Sequence, residues 1–182
     1  MTHNRKIGSF LGIFALAAFV PACTERPQDI EAALEQYELV LRHAKEGNHA
    51  EVVKWLRKGA TLGSAEAQFE LGTYFAKEGN HVEAFKWLSD AAKQGHAEAQ
   101  FALAVCYMFE LGVERNDDEV GKWLAKAAEQ GHAKAQYRLG MCYEKWEDTT
   151  EALKWYRRAA KQNNEEATDA LKRLESRPLD SP

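Results

Sequence analysis

Apolar residues fall into two regimes along this chain. Near the start, Ile7 to Val20 is an uncharged run of 14 residues. Further on, apolar and polar positions alternate at steps of three and four. Val52, Trp55, Leu56, Gly59 and Ala60 fall at this spacing, and Ala84, Trp87, Leu88, Ala91 and Ala92 repeat it. A step of three or four places such residues on one face of an α-helix. All four prolines (Pro21, Pro27, Pro178, Pro182) lie outside residues 28–177. Proline breaks helix interiors, so the pattern predicts an all-α body.

The helical pattern is periodic at a longer scale. Trp55-Leu-Arg-Lys-Gly-Ala, Trp87-Leu-Ser-Asp-Ala-Ala, Trp123-Leu-Ala-Lys-Ala-Ala and Trp155-Tyr-Arg-Arg-Ala-Ala align, with Trp spacings of 32, 36 and 32 residues. After the first three come Gly63-Ser-Ala-Glu-Ala-Gln, Gly95-His-Ala-Glu-Ala-Gln and Gly131-His-Ala-Lys-Ala-Gln. Leu71-Gly-Thr-Tyr-Phe, Leu103-Ala-Val-Cys-Tyr and Leu139-Gly-Met-Cys-Tyr follow in turn. A period of this length is the signature of a solenoid. Each unit reads as two helices. Gly63, Gly95 and Gly131 can close a helix in the left-handed conformation, and Ser64, His96 or His132 begins the next. The fourth copy has Asn163-Asn164 there. Asn tolerates the left-handed position and also caps, so a further helix is expected from about Asn164 to Arg177. In the first unit, Leu39 to Asn48 aligns with Leu71 to Asn80.

The expected fold is therefore all-α: an α-solenoid of four antiparallel helix pairs plus a C-terminal capping helix. The units fall at about 30–62, 63–94, 95–130 and 131–162, with the cap at 164–177, a linker at 23–29 and a disordered tail at 178–182.

These blocks resemble the Sel-1-like repeat family, relatives of the tetratricopeptide repeats. The third unit carries the family pattern most fully, at Ala99, Leu103, Tyr107, Gly112, Val113, Asn116, Trp123, Lys126, Ala127, Ala128 and Gly131. It departs at Ala104, Glu110 and Gly121, where the pattern has Gly, Gly and Ala. The resemblance covers roughly residues 30–177. It implies a right-handed superhelix whose first helices line a concave surface, and work as a scaffold or adaptor.

Positions that stay constant between units, Leu71, Leu103 and Leu139 with Phe75, Tyr107 and Tyr143, are expected in the core, as are Phe69, Phe101 and Tyr137. Other positions vary: Glu66, Glu70, Thr73, Lys77; Glu98, Ala102, Val105, Phe109; Lys134, Arg138, Met141, Lys145. Their 4, 3, 4 spacing is one helical face. By the resemblance this face looks into the groove, with an apolar centre between acidic and basic flanks, and it is the candidate site for a protein or peptide partner. The competing reading has Val105 and Phe109 packing between repeats. Gln36, Gln68, Gln100 and Gln136 form a second ladder, whose repetition points to a structural role.

The N-terminus reads as an export signal over residues 1–22: Arg5 and Lys6, the apolar run, then Val20-Pro21-Ala22-Cys23. The run suits a signal peptide and is short for a membrane span. Its end resembles the lipobox of bacterial lipoproteins, which implies cleavage and lipidation at Cys23. Acyl chains on Cys23 would hold the protein on a membrane. Thr24 in the next position implies the outer membrane, facing the periplasm. The alternatives are a cleaved signal peptide that leaves a soluble periplasmic or secreted protein, and a short N-terminal membrane anchor.

Charge and chemistry narrow the rest. With 24 Lys+Arg against 28 Asp+Glu, nucleic acid is not an expected partner. No phosphate loop or nucleophile motif is visible, and no cofactor is implied. His49, His81, His96 and His132 recur once per unit at turns, too dispersed to converge on a metal. Cys106 and Cys142 occupy one position in adjacent units. Stacked helices lie ~8–10 Å apart, too far for a disulfide, so two buried free thiols are expected. Some exported relatives linked to β-lactams carry a disulfide in each repeat. Cys106 and Cys142 have no partner within their own units, which sets this chain apart from those relatives; an envelope enzyme acting on β-lactams or peptidoglycan is the alternative to an interaction scaffold.

Overall fold

The computed structural model describes residues 49–176, and over this span the protein is helical, with no strand. The apolar run Ile7–Val20, Cys23, the helix expected around Leu39–Asn48 and the tail at 178–182 lie outside the described residues. The chain forms two compact units that divide between Gln94 and Gly95.

The first unit contains α1 (His49–Thr61), α2 (Ala65–Lys77) and α3 (His81–Lys93). Helix α2 packs on both α1 and α3. Ala60, Ala67 and Leu71 form its buried centre, with Val53, Leu56, Phe75 and Trp87 packed at the edge. Gly72 is where α2 and α3 meet most closely: a Cβ there would lie 2.8 Å from Leu88 Cγ.

The second unit contains α4 (Ala97–Phe109), α5 (Asp117–Glu129), α6 (Ala133–Lys145), α7 (Thr149–Ala160) and α8 (Glu165–Glu175). Each helix packs on the next in chain order, so these are helix pairs of an α-solenoid. Leu103, Leu124, Ala127, Ala128 and Leu139 are buried. Ala152, Tyr156, Ala159, Ala167, Ala170 and Leu174 close the far end. Gly140 repeats the contact of Gly72, since a Cβ there would lie 2.7 Å from the Tyr156 ring.

The helix ends follow from a few residues. Gly63 and Gly131 take φ of +91° and +93°, and Asn163 takes +61° at the same step. Each lets the following N–H bond back to a carbonyl five residues earlier: Ser64 to Gly59, His132 to Ala127 and Asn164 to Ala159. This closes the helix and starts the next one. The starting residue then caps. The N–H groups of Ala67, Ala135 and Ala167 donate to Ser64 Oγ, His132 Nδ1 and Asn164 Oδ1. His96 Nδ1 does the same for Ala99.

The glutamine ladder is a set of buried clasps. Gln68 Nε2 donates to the Ala60 carbonyl, and Gln136 Nε2 donates to that of Ala128. In turn Gln94, Gln130 and Gln162 donate to the Oε1 atoms of Gln68, Gln100 and Gln136 at 2.7–2.8 Å. Each first-helix amide is thereby tied to the helix before it, the helix after it, or both. A buried amide must be paired, and these clasps pair it.

The six aromatics expected in the core are all half-buried, whereas the leucines Leu71, Leu103 and Leu139 are fully enclosed. Phe75, Tyr137 and Tyr143 lean on the core edge. Cys106 and Cys142 are both free thiols, but only Cys106 is buried; Cys142 is half-exposed, against expectation.

Candidate partner-binding face

None of the twelve variable-stripe residues is buried. On α2, Glu66, Glu70 and Thr73 are half-buried and Lys77 is exposed; the Thr73 hydroxyl donates back to the Glu70 carbonyl. These four belong to the first unit. The other eight belong to the second, where α4 and α6 both pack on α5.

Within that second unit the two first helices meet at their N-terminal ends. The Phe101 ring of α4 stacks on the His132 imidazole at the start of α6, with centroids 4.5 Å apart. Burial holds the His132 pKa below its usual value, opposed by the nearby Glu98 carboxylate. The buried side of α4 is Ala99, Gln100, Leu103, Ala104 and Cys106. The buried side of α6 is Ala135, Gln136, Leu139 and Gly140. The stripe lies on the opposite side of each helix, as the 3.6-residue period requires.

The α4 lane runs Glu98, Ala102, Val105, Phe109, and ends apolar. Ala102 and Val105 are half-buried and Phe109 is 58% exposed. The alternative in which Phe109 packs away between repeats does not describe this ring. The α6 lane runs Lys134, Arg138, Met141, Lys145, with Met141 41% exposed. None of its three cations makes an ion pair among the described residues, whereas Lys122, Lys154 and Arg173 each pair with a glutamate.

The sequence of α6 accounts for this surplus. Its single acidic residue, Glu144, is drawn toward the end of the unit. Glu144 Oε2 accepts from Tyr156 Oη at 2.9 Å and from Arg173 Nη2 at 2.8 Å. Burial and the Glu144 carboxylate raise the Tyr156 pKa, so the phenol stays a donor. Within α6 no carboxylate stands three or four residues from Lys134, Arg138 or Lys145, so none of them has an intrahelical ion pair. Burial also pushes the Cys106 thiol up to about 11. The Cys142 thiol is raised by burial too, against the pull of Lys145 and Arg138. Neither is an activated nucleophile.

The opposite surface is occupied by its own contacts. Lys126 Nζ sits 4.3 Å from the Trp123 ring centre and Arg158 4.7 Å from that of Trp155. Trp123 Nε1 donates to Glu119 Oε2, and Lys122 Nζ donates to the other oxygen of that carboxylate, Oε1. Among the described residues no three His, Cys, Asp or Glu side chains group as a metal site. No described helix is long and apolar enough to cross a membrane.

Sel1 repeats match the chain at residues 49–64, 65–96, 97–132 and 133–164. The chain belongs to the Sel1 repeat family. A Sel1 repeat protein from Oxalobacter formigenes is 38% identical, with a TM-score of 0.60 over 64% of this chain and 94% of its own. The protein c5321, a protective antigen present in uropathogenic Escherichia coli strains and displaying an SLR fold, is 28% identical. Its TM-score is 0.71, over 87% of this chain and 39% of that longer protein. No curated protein matches by sequence. Sel1 repeat proteins generally serve as protein-interaction scaffolds, which suits a surface whose distinctive feature is a displayed face and not a catalytic cluster.

Proposed function

We propose that this Sel1 repeat protein is an interaction scaffold or adaptor of the bacterial cell envelope, holding a partner segment on the α4–α6 face. One observation carries the binding role: Phe109 on α4 and Met141 on α6 are exposed, and Met141 shares its helix face with Lys134, Arg138 and Lys145, which make no ion pair among the described residues. Apolar side chains and unpaired charge on a folded surface gain most when a partner covers them. The clasped, capped helices beneath keep the face in one shape, which limits the ordering cost of binding. Placement in the envelope rests on the sequence alone, on Arg5, Lys6, the Ile7–Val20 run and Val20-Pro21-Ala22-Cys23.

The test is recovery of the native partner by pull-down. Val105→Glu combined with Arg138→Glu and Lys145→Glu is expected to abolish recovery while helical content is unchanged. Undiminished recovery by a folded triple variant would refute the assignment.

A further inference from the structure

Resting on that binding role, we infer that the occupant of the α4–α6 face is an amphipathic protein segment with Asp or Glu beside a row of apolar side chains. The two lanes differ in kind. The α4 lane carries no charge beyond Glu98 at its start: Ala102, Val105 and Phe109 follow. The α6 lane carries Lys134, Arg138 and Lys145 around Met141. From residue 134 to 145 is ~16 Å along a helix axis at 1.5 Å per residue, the length of about three helical turns. A segment of similar length would lay its apolar side on Val105, Phe109 and Met141 and turn its carboxylates toward α6.

Sign is set by neutralisation as well as by count. Within α6 no carboxylate stands three or four residues from Lys134, Arg138 or Lys145, and the one acidic residue of the helix, Glu144, is held by Tyr156 and Arg173. The positive field of α6 is therefore open to an outside partner. A basic segment would meet like charges at three points, and an uncharged one would leave them without a counterion. The cations are also confined to one helix beside an apolar lane. This suits a narrow segment better than a broad anionic surface such as a lipid bilayer.

The full chain, panned against a displayed library of random 12-residue peptides, tests this directly. Enriched sequences are expected to combine acidic and apolar residues. Their affinity should fall about tenfold or more in Arg138→Glu/Lys145→Glu, since charge reversal sets like charges together. Raising salt should weaken binding to the parent chain. Enrichment of basic or uncharged peptides that Val105→Glu abolishes would overturn the acidic inference and leave the binding face standing. Peptides insensitive to Val105→Glu and to both charge reversals would overturn the two together. Vesicles rich in anionic lipid form a separate arm. Charge-sensitive capture by vesicles, without acidic peptides among the enriched sequences, would overturn the proposal in favour of a lipid surface.

Discussion

Gly140 shows how much a single methyl group decides in this protein. Its missing Cβ leaves room for the Tyr156 ring, which would otherwise stand 2.7 Å away, and Gly72 does the same for Leu88. Gly140→Ala should therefore destabilise by about 1–3 kcal/mol, through overpacking of a ring that is fully enclosed. Gly121 lies inside α5 with nothing within 4 Å of its Cβ position. Gly121→Ala should stabilise by about 0.5–1 kcal/mol, because alanine is the better helix former. Urea unfolding of the two variants should move the midpoint in opposite directions. Position 140 was visible in the sequence only as the small member of Leu-Gly-Met-Cys-Tyr; the ring that makes it obligatory sits 16 residues away. The same holds for Gln136. Its repetition announced a structural role, but the partners, Ala128 and Gln162, come from two other helices. Gln136→Ala should cost about 1–3 kcal/mol in the same assay, because it removes the bonds that Gln136 makes to the Ala128 carbonyl and to Gln162.

At the level of the helices, starts and stops were legible because they rest on local chemistry. Gly63, Gly131 and Asn163 take the left-handed turn, and Ser64 and Asn164 cap, as their residue types require. Glu147 was not legible. It adopts φ of +62° in the turn between α6 and α7, where the chain elsewhere uses Gly79 at +77°. Nor were the imidazole caps, since histidine has no special standing among capping residues. They carry a consequence for pH. His132 must keep Nδ1 unprotonated to accept from Ala135, and burial lowers its pKa from 6.5. The unfolded chain therefore binds the proton more readily than the folded one. Stability should be fully present above about pH 6.5 and decline as pH falls below it, until the folded-state pKa is passed. Thr- or Ser-like capping is already used at the same step by Ser64, and amide capping by Asn164. His132→Asn should accordingly keep stability at pH 8 and flatten its decline as pH falls below 6.5, as read by thermal unfolding on both sides of that pH.

On the scale of the whole molecule, the repeat was readable from its period, because each unit must bury the same Leu and Ala ridge against its neighbours. The unburied positions of α4 and α6 were marked as well, as positions that vary where neighbours stay fixed. Their energetics were not readable. That Glu144 is taken up by Tyr156 and Arg173 depends on contacts between residues up to 29 apart. The anchoring that the sequence leads us to propose belongs to the same scale and would depend on one atom, the Cys23 sulfur. Labelling with a radioactive or clickable fatty acid should mark the protein and fractionate it with membranes, and Cys23→Ala should abolish both. The most direct test of the central claim is photocrosslinking in the intact cell, with a benzophenone amino acid placed singly at Phe109, at Met141 or at Lys122 across the unit. A discrete crosslinked partner from positions 109 and 141, and none from 122, is the predicted result. Crosslinking from 122 alone would contradict it.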